Sequence, residues 1–330
     1  GREPRIVGGL RAQRQGQFTQ NDFCKITNYD TLARDLDAIA EWAPELLIVD
    51  EAQRVKNWAT QAAGALRRID APHAIVLTGT PMQNRLDELI AIVQLVDQYR
   101  LGPTWRMRHE HQTYDEAGRV IGYRDLDRIG HTLGPIMLRR RKSEVLTQLP
   151  ERIDETLLLP LTPPQREIHD EFAGIVGRIV QRWRRTGFLS DIDQRRLQIA
   201  LNSMRMACNS TWLLDHETDH GTKADELIAV LDDLFEQPDA KAVVFSQWLG
   251  THEVLLRRIE PRGWGHVLFH GGVPSEKRGA LVERFIADPQ CRLFLSTDAG
   301  GVGLNLQHAA ATVINMDLPW NPALLEQRIA

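Results

Sequence analysis

Residues 46–53 read Leu-Leu-Ile-Val-Asp-Glu-Ala-Gln, an apolar run that ends in two adjacent carboxylates. A second run, Ala74-Ile75-Val76-Leu77, follows across a helix-length gap and leads into Thr78-Gly79-Thr80-Pro81. Short, continuous apolar runs between polar clusters are typical of strands buried on both faces of a parallel sheet. The two stretches therefore predict an α/β fold with polar loops at the carboxyl ends of its strands.

The same rhythm returns in the last third of the chain, where short apolar runs again end in polar or glycine-rich clusters. Open α/β sheets bind ligands beyond the carboxyl ends of their strands. We therefore expect two parallel sheets, flanked by helices, whose loops carry function. The later apolar runs are Ala242–Phe245, His266–Phe269, Leu293–Leu295 and Thr312–Ile314.

The middle third has a helical pattern. A helix is predicted from Thr162 to Arg185, because apolar residues from Ile168 to Trp183 recur at the spacing of one helix face, which also predicts core packing. Further helices are predicted over Asp191–Cys208 and Lys223–Phe235. Prolines flank this region, so three parts are predicted: 1–150, a helical part at 151–238, and 239–330.

Composition narrows the possible classes of function. The net charge of −4 argues against a protein that coats nucleic acid by bulk electrostatics, although a local basic groove stays open. Three widely spaced cysteines, Cys24, Cys208 and Cys291, suggest neither a disulfide framework nor a zinc ribbon. His109 and His111 lack companion ligands and are interpreted as surface or loop residues. No apolar run approaches the roughly 18 residues of a membrane span, so no membrane partner is expected.

The adjacent carboxylates suit a nucleotidase, because one can hold magnesium on the phosphates while the other orients the attacking water. The alternative for an isolated Asp-Glu pair is a solvated helix start. The second strand with its polar loop favours ATP hydrolysis.

Five stretches, taken in order, resemble helicase motifs two to five of the Swi/Snf-like DNA translocases, a branch of helicase superfamily two. The resemblance runs from about Ile26 to the end of the chain. It includes a hallmark of the crossover between the two lobes, residues 138–150, which general RNA helicases lack. The five stretches are residues 50–53, 77–84, 244–248, 296–306 and 317–322.

The resemblance implies two RecA-like lobes with a helical insertion between them, the first lobe being incomplete. Asp50 would bind magnesium through water, and Glu51 would act as general base. Gln53 would relay the nucleotide state, and Thr78 and Thr80 would couple hydrolysis to lobe movement.

In the second lobe, Gly301 and Gly303 would let backbone amides approach a phosphate, although a flexible turn is the alternative. Gln327 and Arg328 would open the motif whose later arginines reach across the cleft. Trp320 is either a DNA contact or a core residue before a helix start. The other implied DNA contacts are Ser246, Gln247, Ser296, Thr297, Asn305, Arg54 and Lys56.

The function implied by the resemblance is a DNA-dependent ATPase that translocates on double-stranded DNA and remodels protein–DNA complexes. ATP and magnesium would be the cofactors, and a DNA-bound protein cargo a further partner. The family's phosphate loop would lie before Asp50 and its last arginines after Arg328, so we expect this segment alone to be inactive.

Two alternatives to the translocase stay open. One is a DNA- or protein-binding module that does not hydrolyse ATP, and the other is an RNA helicase. The expected location is the nucleoid-associated cytoplasm in a bacterium or the nucleus in a eukaryote.

Overall fold

The computed structural model describes residues 3–55, 57, 60–79, 85–116, 118, 120–139, 152–298 and 304–329. The chain divides into two compact units, Gly1–Glu151 and Arg152–Ala330. The second unit contains both the helical part and the C-terminal α/β part, and the predicted division into three parts stays a prediction. Across the described ranges, no helix combines the length and apolar character that a bilayer crossing requires.

The first unit alternates helices with short strands. Two parallel pairs form, β1 with β2 and β3 with β4, and one antiparallel pair, β5 with β6. The strands are β1 Arg5–Ile6, β2 Lys25–Ile26, β3 Leu46–Val49, β4 His73–Val76, β5 Gln112–Tyr114 and β6 Val120–Tyr123. The helices are α1 Arg11–Phe18, α2 Tyr29–Trp42, α3 Gln61–Leu66, α4 Leu86–Val93, α5 Thr104–His111 and α6 Leu126–Leu133, with a 3₁₀ turn at Ala52–Val55.

Helix α2 is the element that packs behind the predicted acidic pair. Asn28 caps its first turn by accepting the backbone N–H of Thr31 at 2.9 Å, which satisfies one of the donors left free at a helix start. Leu32, Leu36 and Ile39 of this helix share a core with Val49, at the end of β3. The apolar face of α2 therefore supports the carboxyl end of β3.

Burial on both faces, predicted for the strands of the first unit, is wrong for β3 and β4. Leu46, Ile48, Ile75 and Leu77 are between 45% and 55% exposed. Ile48 pairs with Ile75 in register, so these side chains share one face of the ribbon. Only the opposite face meets the core that contains Val49.

The second unit is built on one four-stranded parallel sheet in the order β10-β7-β9-β8. Its strands are β7 Ala242–Phe245, β8 Gly265–Phe269, β9 Cys291–Ser296 and β10 Thr312–Asn315. Its helices are α7 Pro163–Thr186, α8 Asp191–Ala207, α9 Trp212–Asp215, α10 Lys223–Leu234, α11 Leu249–Ile259, α12 Ser275–Ala287 and α13 Pro322–Ile329, with a 3₁₀ turn at Glu260–Arg262.

This sheet has an apolar core on each face, as alternate strand residues point to opposite sides. Val244 and Leu295 lie in one core, while Phe245 and Phe294 lie in the other. The α/β class with parallel sheets is therefore confirmed, and burial on both faces holds for this unit.

The two long helices of the second unit, α7 and α8, match their predicted bounds within two residues at each end. Thr162 and Gln165 form a capping box at the start of α7, and Gly187 ends it at φ +64°. The predicted core stripe is only partly buried, because Ile179 is 5% exposed but Trp183 is 45% exposed.

Candidate functional site

The predicted acidic pair follows β3 directly, and its second residue has an unusual backbone. Glu51 lies in the left-handed region at φ +51°, which costs a residue other than glycine about 1–3 kcal/mol. Its N–H donates to Oδ1 of Asp50 at 2.9 Å. Such a conformation persists where neighbouring contacts impose it, and it marks this strand end as a candidate site.

Gln53 connects the ends of the two parallel strands. Its Nε2 donates to Oε2 of Glu51, and its Oε1 accepts the hydroxyl of Thr78 at 2.8 Å. The strand ends are also tied through the backbone, since the Ala52 N–H donates to the Leu77 carbonyl at 3.1 Å. The structure thus brings Thr78, 25 residues away in sequence, into one hydrogen-bonded chain with Gln53 and Glu51.

Tyr29, which the sequence analysis did not identify, contacts the same strand end. Its hydroxyl donates to the main-chain oxygen of Asp50, and the guanidinium of Arg54 lies 5.6 Å from the centre of its ring. Burial, followed by the charge of Asp50, raises the pKa of Tyr29 to about 12. The phenol therefore stays a donor at neutral pH. The signal was its position at the start of α2, directly after the capping Asn28.

The carboxylates fit a hard cation such as magnesium, which takes oxygen ligands and binds through one or two carboxylates and substrate phosphates. Asp50 is exposed, and its Oδ1 accepts the Glu51 N–H. Within the described ranges, no donor is hydrogen-bonded to its Oδ2. This oxygen is available to a hydrated cation. The described residues contain no cluster of three or more ligand side chains that would hold a metal by themselves.

Asp317 is the centre of the polar loops in the second unit. Its carboxylate accepts the hydroxyl of Ser246 at 2.5 Å, the N–H of Gln247 at 3.0 Å and the amide of Asn209 at 3.3 Å. Asp317 is 7% exposed, and a buried carboxylate requires such donors. It joins the ends of β7 and β10 to the residues after α8. In the sequence, Asp317 could be recognised as an aspartate shortly after a predicted strand end.

Arg328 lies beside this centre. Its Nε donates to Oδ1 of Asp298 at 2.6 Å, and its Nη1 donates to Asn315 and to the carbonyl of Asp317. The residue is 6% exposed. These contacts connect α13 to the ends of β9 and β10. The nucleotide contact of Arg328 stays a prediction, as does that of its half-buried neighbour Gln327.

The predicted DNA contacts of the second unit fall into two groups. Ser246 and Ser296 are fully buried, and Thr297 is 7% exposed. Their side chains lie below the surface, so these residues support the loops and do not face solvent. Gln247 and Asn305 are exposed.

Trp320 is 70% exposed, so it is not a core tryptophan. The helix start predicted after it is present, because Asn321 accepts the N–H of Ala323 at 3.0 Å and α13 begins at Pro322. Trp320 thus presents its ring to solvent immediately before a capped helix.

Several predicted residues lie outside the described part of the chain, namely Lys56, Thr80, Gly301, Gly303 and residues 140–150 of the crossover hallmark. Of the two histidines, His109 is exposed. His111 is 2% exposed, with its Nδ1 3.1 Å from the carbonyl of Arg124. The burial of His111 differs from the surface or loop position predicted for it.

Comparison with known proteins adds a family to this geometry. The SNF2-related domain matches residues 6–213, and the helicase conserved C-terminal domain matches residues 222–330. A putative ATP-dependent helicase/translocase of Bacillus subtilis, YwqA, is 28% identical over 315 residues, which cover 92% of this chain and 33% of the relative.

The human SWI/SNF-related matrix-associated actin-dependent regulator of chromatin subfamily A member 1 is also 28% identical over 315 residues, covering 91% of this chain and 29% of the relative. The chain thus spans about a third of the length of these relatives. Among solved structures, the Sulfolobus solfataricus SWI2/SNF2 ATPase core in complex with dsDNA is 21% identical. The match has a TM-score of 0.45 and covers 99% of this chain and 68% of that one.

Proposed function

The chain belongs to the SNF2-related family, and on that premise we propose that it is part of an ATP hydrolase that translocates on double-stranded DNA. The observation that carries this proposal is the hydrogen-bonded chain from Glu51 through Gln53 to Thr78. It joins a candidate general base to the next strand end, as a motor requires if hydrolysis is to cause movement. The relatives named as ATP-dependent helicases support the same activity.

In this proposal Glu51 accepts the proton of the attacking water. The left-handed backbone directs its carboxylate towards Gln53, whose amide holds the carboxylate in place. Asp50 would hold magnesium, which when bound would supply positive charge to neutralise the phosphates. Glu51 is half-buried, which limits the water around the base.

Gln53 couples the position of the Glu51 carboxylate to Thr78. Because both ends of its amide are occupied, a shift of the Glu51 carboxylate moves the amide and with it the Thr78 hydroxyl. Thr80, two residues further along the chain, extends the same coupling in the proposal.

In the second unit, the proposed DNA contacts are exposed side chains carried by buried supports, namely Gln247, Asn305 and Trp320. Ser246, Ser296 and Thr297 hold the loops that present these side chains. In the first unit, Arg54 and Lys56 are the proposed DNA contacts. Gly301, Gly303, Gln327 and Arg328 are assigned to nucleotide binding.

A protein bound to DNA is the proposed cargo, supported by the chromatin regulator among the relatives. The bacterial and the eukaryotic relatives agree with action in the nucleoid or in the nucleus, respectively.

The test is ATP hydrolysis by the full-length protein with and without duplex DNA, with Glu51→Gln as the variant. General base catalysis contributes about 10²–10⁴ in rate, so we expect kcat to fall by that factor. Glu45→Gln is the matched control, because Glu45 is an exposed glutamate immediately before the other end of the same strand. Its kcat should equal that of the wild type.

Full activity of Glu51→Gln would remove Glu51 from the role of base. Hydrolysis that duplex DNA does not stimulate would contradict the translocase. DNA binding without any hydrolysis would favour a binding module, and unwinding of duplex RNA would favour an RNA helicase.

A further inference from the structure

Arg205, in the last turn of α8, reaches two loops at the carboxyl edge of the sheet in the second unit. Its Nη1 donates to Oε1 of Gln247 at 2.9 Å, and its Nη2 donates to the carbonyl of Leu318 at 2.5 Å. One loop follows β7 and the other follows β10. A single guanidinium therefore ties the helical part of this unit to both loops.

The same guanidinium lies close to two indole rings. Its central carbon lies 4.9 Å from the centre of the Trp248 ring and 5.2 Å from that of Trp320. A planar cation over an aromatic face is attracted by the electron density of the ring. Within the described ranges, Arg205 is the only cation or aromatic group in ring contact with Trp320. Trp320 is 70% exposed, so most of its surface meets solvent and Arg205 is a contact that can orient its indole.

Arg205 also determines the orientation of Gln247. The amide oxygen of Gln247 accepts from Arg205, so its NH₂ group points away from the guanidinium. The backbone N–H of Gln247 is held separately by Asp317. The side chain that would face DNA is therefore oriented by Arg205 while its backbone is oriented by Asp317.

We propose that Arg205 is a positioning residue for DNA engagement, which orients Gln247 and the exposed ring of Trp320 together. This inference rests on the proposed function, since Gln247 and Trp320 are DNA contacts only if the protein translocates on DNA. Two donors of the guanidinium are occupied by protein acceptors, and the centres of two indole rings lie within 5.2 Å of its central carbon. In this proposal Arg205 acts through these neighbours, and the salt dependence below distinguishes that role from a phosphate contact.

The chemistry of arginine is specific to this arrangement. A planar fork can donate to two acceptors in fixed directions while its flat face stacks on an aromatic ring. The ammonium of a lysine carries the same charge without the fork or the flat faces. Arg205→Lys therefore separates positioning from charge, because it retains the charge and loses the geometry.

The experiment measures DNA-stimulated ATP hydrolysis by the full-length protein against the concentration of a duplex DNA, at several salt concentrations. We expect Arg205→Ala and Arg205→Lys each to raise the half-stimulating DNA concentration about tenfold, in keeping with the loss of charged hydrogen bonds. The maximal rate at saturating DNA should change much less. The salt dependence should keep its wild-type slope, because no phosphate contact is removed.

A double-mutant cycle tests the route through Trp320. If Arg205 acts by orienting that ring, Arg205→Ala combined with Trp320→Ala should weaken DNA engagement by less than the two single effects combined. Arg262→Ala is the matched control, since Arg262 lies over Trp264 at 5.5 Å and pairs with Asp232, just before β8 and away from the loops. This variant should have the wild-type half-stimulating concentration.

Three results would overturn the inference alone while DNA still stimulates the wild type. The first is an unchanged half-stimulating DNA concentration in both Arg205 variants. The second is wild-type behaviour of Arg205→Lys together with a salt slope that is lowered by about 0.9 in Arg205→Ala. The third is full additivity of Arg205→Ala with Trp320→Ala. The second result would make Arg205 a phosphate contact. If duplex DNA fails to stimulate the wild type, the proposed function and this inference fail together.

Discussion

Both units carry polar loops at the carboxyl ends of parallel strands, but the strands beneath these loops are buried to different extents. In the second unit, the strands beneath the loops are covered on both faces, since Leu295 on one face and Phe294 on the other have no exposed surface. In the first unit, the β3–β4 ribbon is covered on one face, and Ile48 is 55% exposed. The acidic pair there is held by a strained backbone and a chain of side-chain hydrogen bonds.

The difference lies in what holds the two sets of loops. The strands of the second unit rely on apolar packing, so substitutions in those strands should act mainly through stability. The first unit relies on polar contacts at the strand ends, so its acidic pair should respond mainly through activity.

The largest expected effect tests the difference in apolar burial between the strands of the two units. Leu295→Ala removes a fully buried strand side chain and should lower the free energy of unfolding by about 2–5 kcal/mol. Leu46→Ala removes the same side chain from a strand position that is 45% exposed, and should cost less than about 1.5 kcal/mol. Denaturant unfolding of both variants measures the difference. Equal losses would mean that the two strands have equal support.

A second effect concerns pH and is confined to the second unit. His252 is fully buried, its Nε2 lies 3.0 Å from the carbonyl of Ser296, and its Nδ1 has no partner within the described part of the chain. Burial lowers the pKa of His252 to about 4 from the usual 6.5. The neutral ring is therefore favoured in the folded state, and its contribution to stability is present above pH 6.5 and lost as the pH falls towards 4.

We expect the free energy of unfolding of the second unit to fall by about 2 kcal/mol between about pH 7 and pH 5 because of this histidine. His252→Gln should remove most of that dependence, as measured by urea unfolding at both pH values. His109→Gln, at an exposed histidine of the first unit, serves as the control and should leave the dependence intact. The same dependence in His252→Gln would assign it to other groups.

The smallest expected effect tests the polar contacts that hold the acidic pair of the first unit. Tyr29→Phe removes the hydroxyl that donates to the Asp50 carbonyl and keeps the ring beneath Arg54. One hydrogen bond contributes about 0.5–1.5 kcal/mol, so we expect kcat for ATP hydrolysis to fall about three- to tenfold. Tyr99→Phe, at a tyrosine that is 80% exposed, is the control.

The contribution of the Tyr29 hydroxyl to stability also depends on pH. The pKa of Tyr29 is raised to about 12 in the fold from 10.0, so the stability that its neutral form contributes is complete below pH 10 and is lost as the pH rises towards 12. The stability difference between the wild type and Tyr29→Phe should be constant below pH 10. A difference that already declines near neutral pH would contradict this assignment.

Much of the fold could be predicted from local pattern. The predicted strand Ala242–Phe245 has the observed bounds, and Leu46–Val49 matches β3. Helices α8 and α10 end within one residue of their predicted limits. These elements are specified by neighbours in sequence, through apolar runs, helical spacing and capping residues.

The candidate site could be predicted only in part. The acidic pair was identified because it follows a strand directly, and Gln53 because residues 50–53 resemble a helicase motif. Tyr29 and Arg205 were missed, because their partners lie 21 residues away at Asp50 and 113 residues away at Leu318. No spacing rule connects residues so far apart.

By itself, the sequence determined the order of strands and helices, the α/β class and the residues at the strand ends, since each depends on contacts within a few positions along the chain. Only the tertiary structure decided which strand faces are covered and which polar groups meet. Those outcomes depend on which distant segments pack together. Burial and long-range hydrogen bonds are set by that packing and leave no periodic signal in the chain.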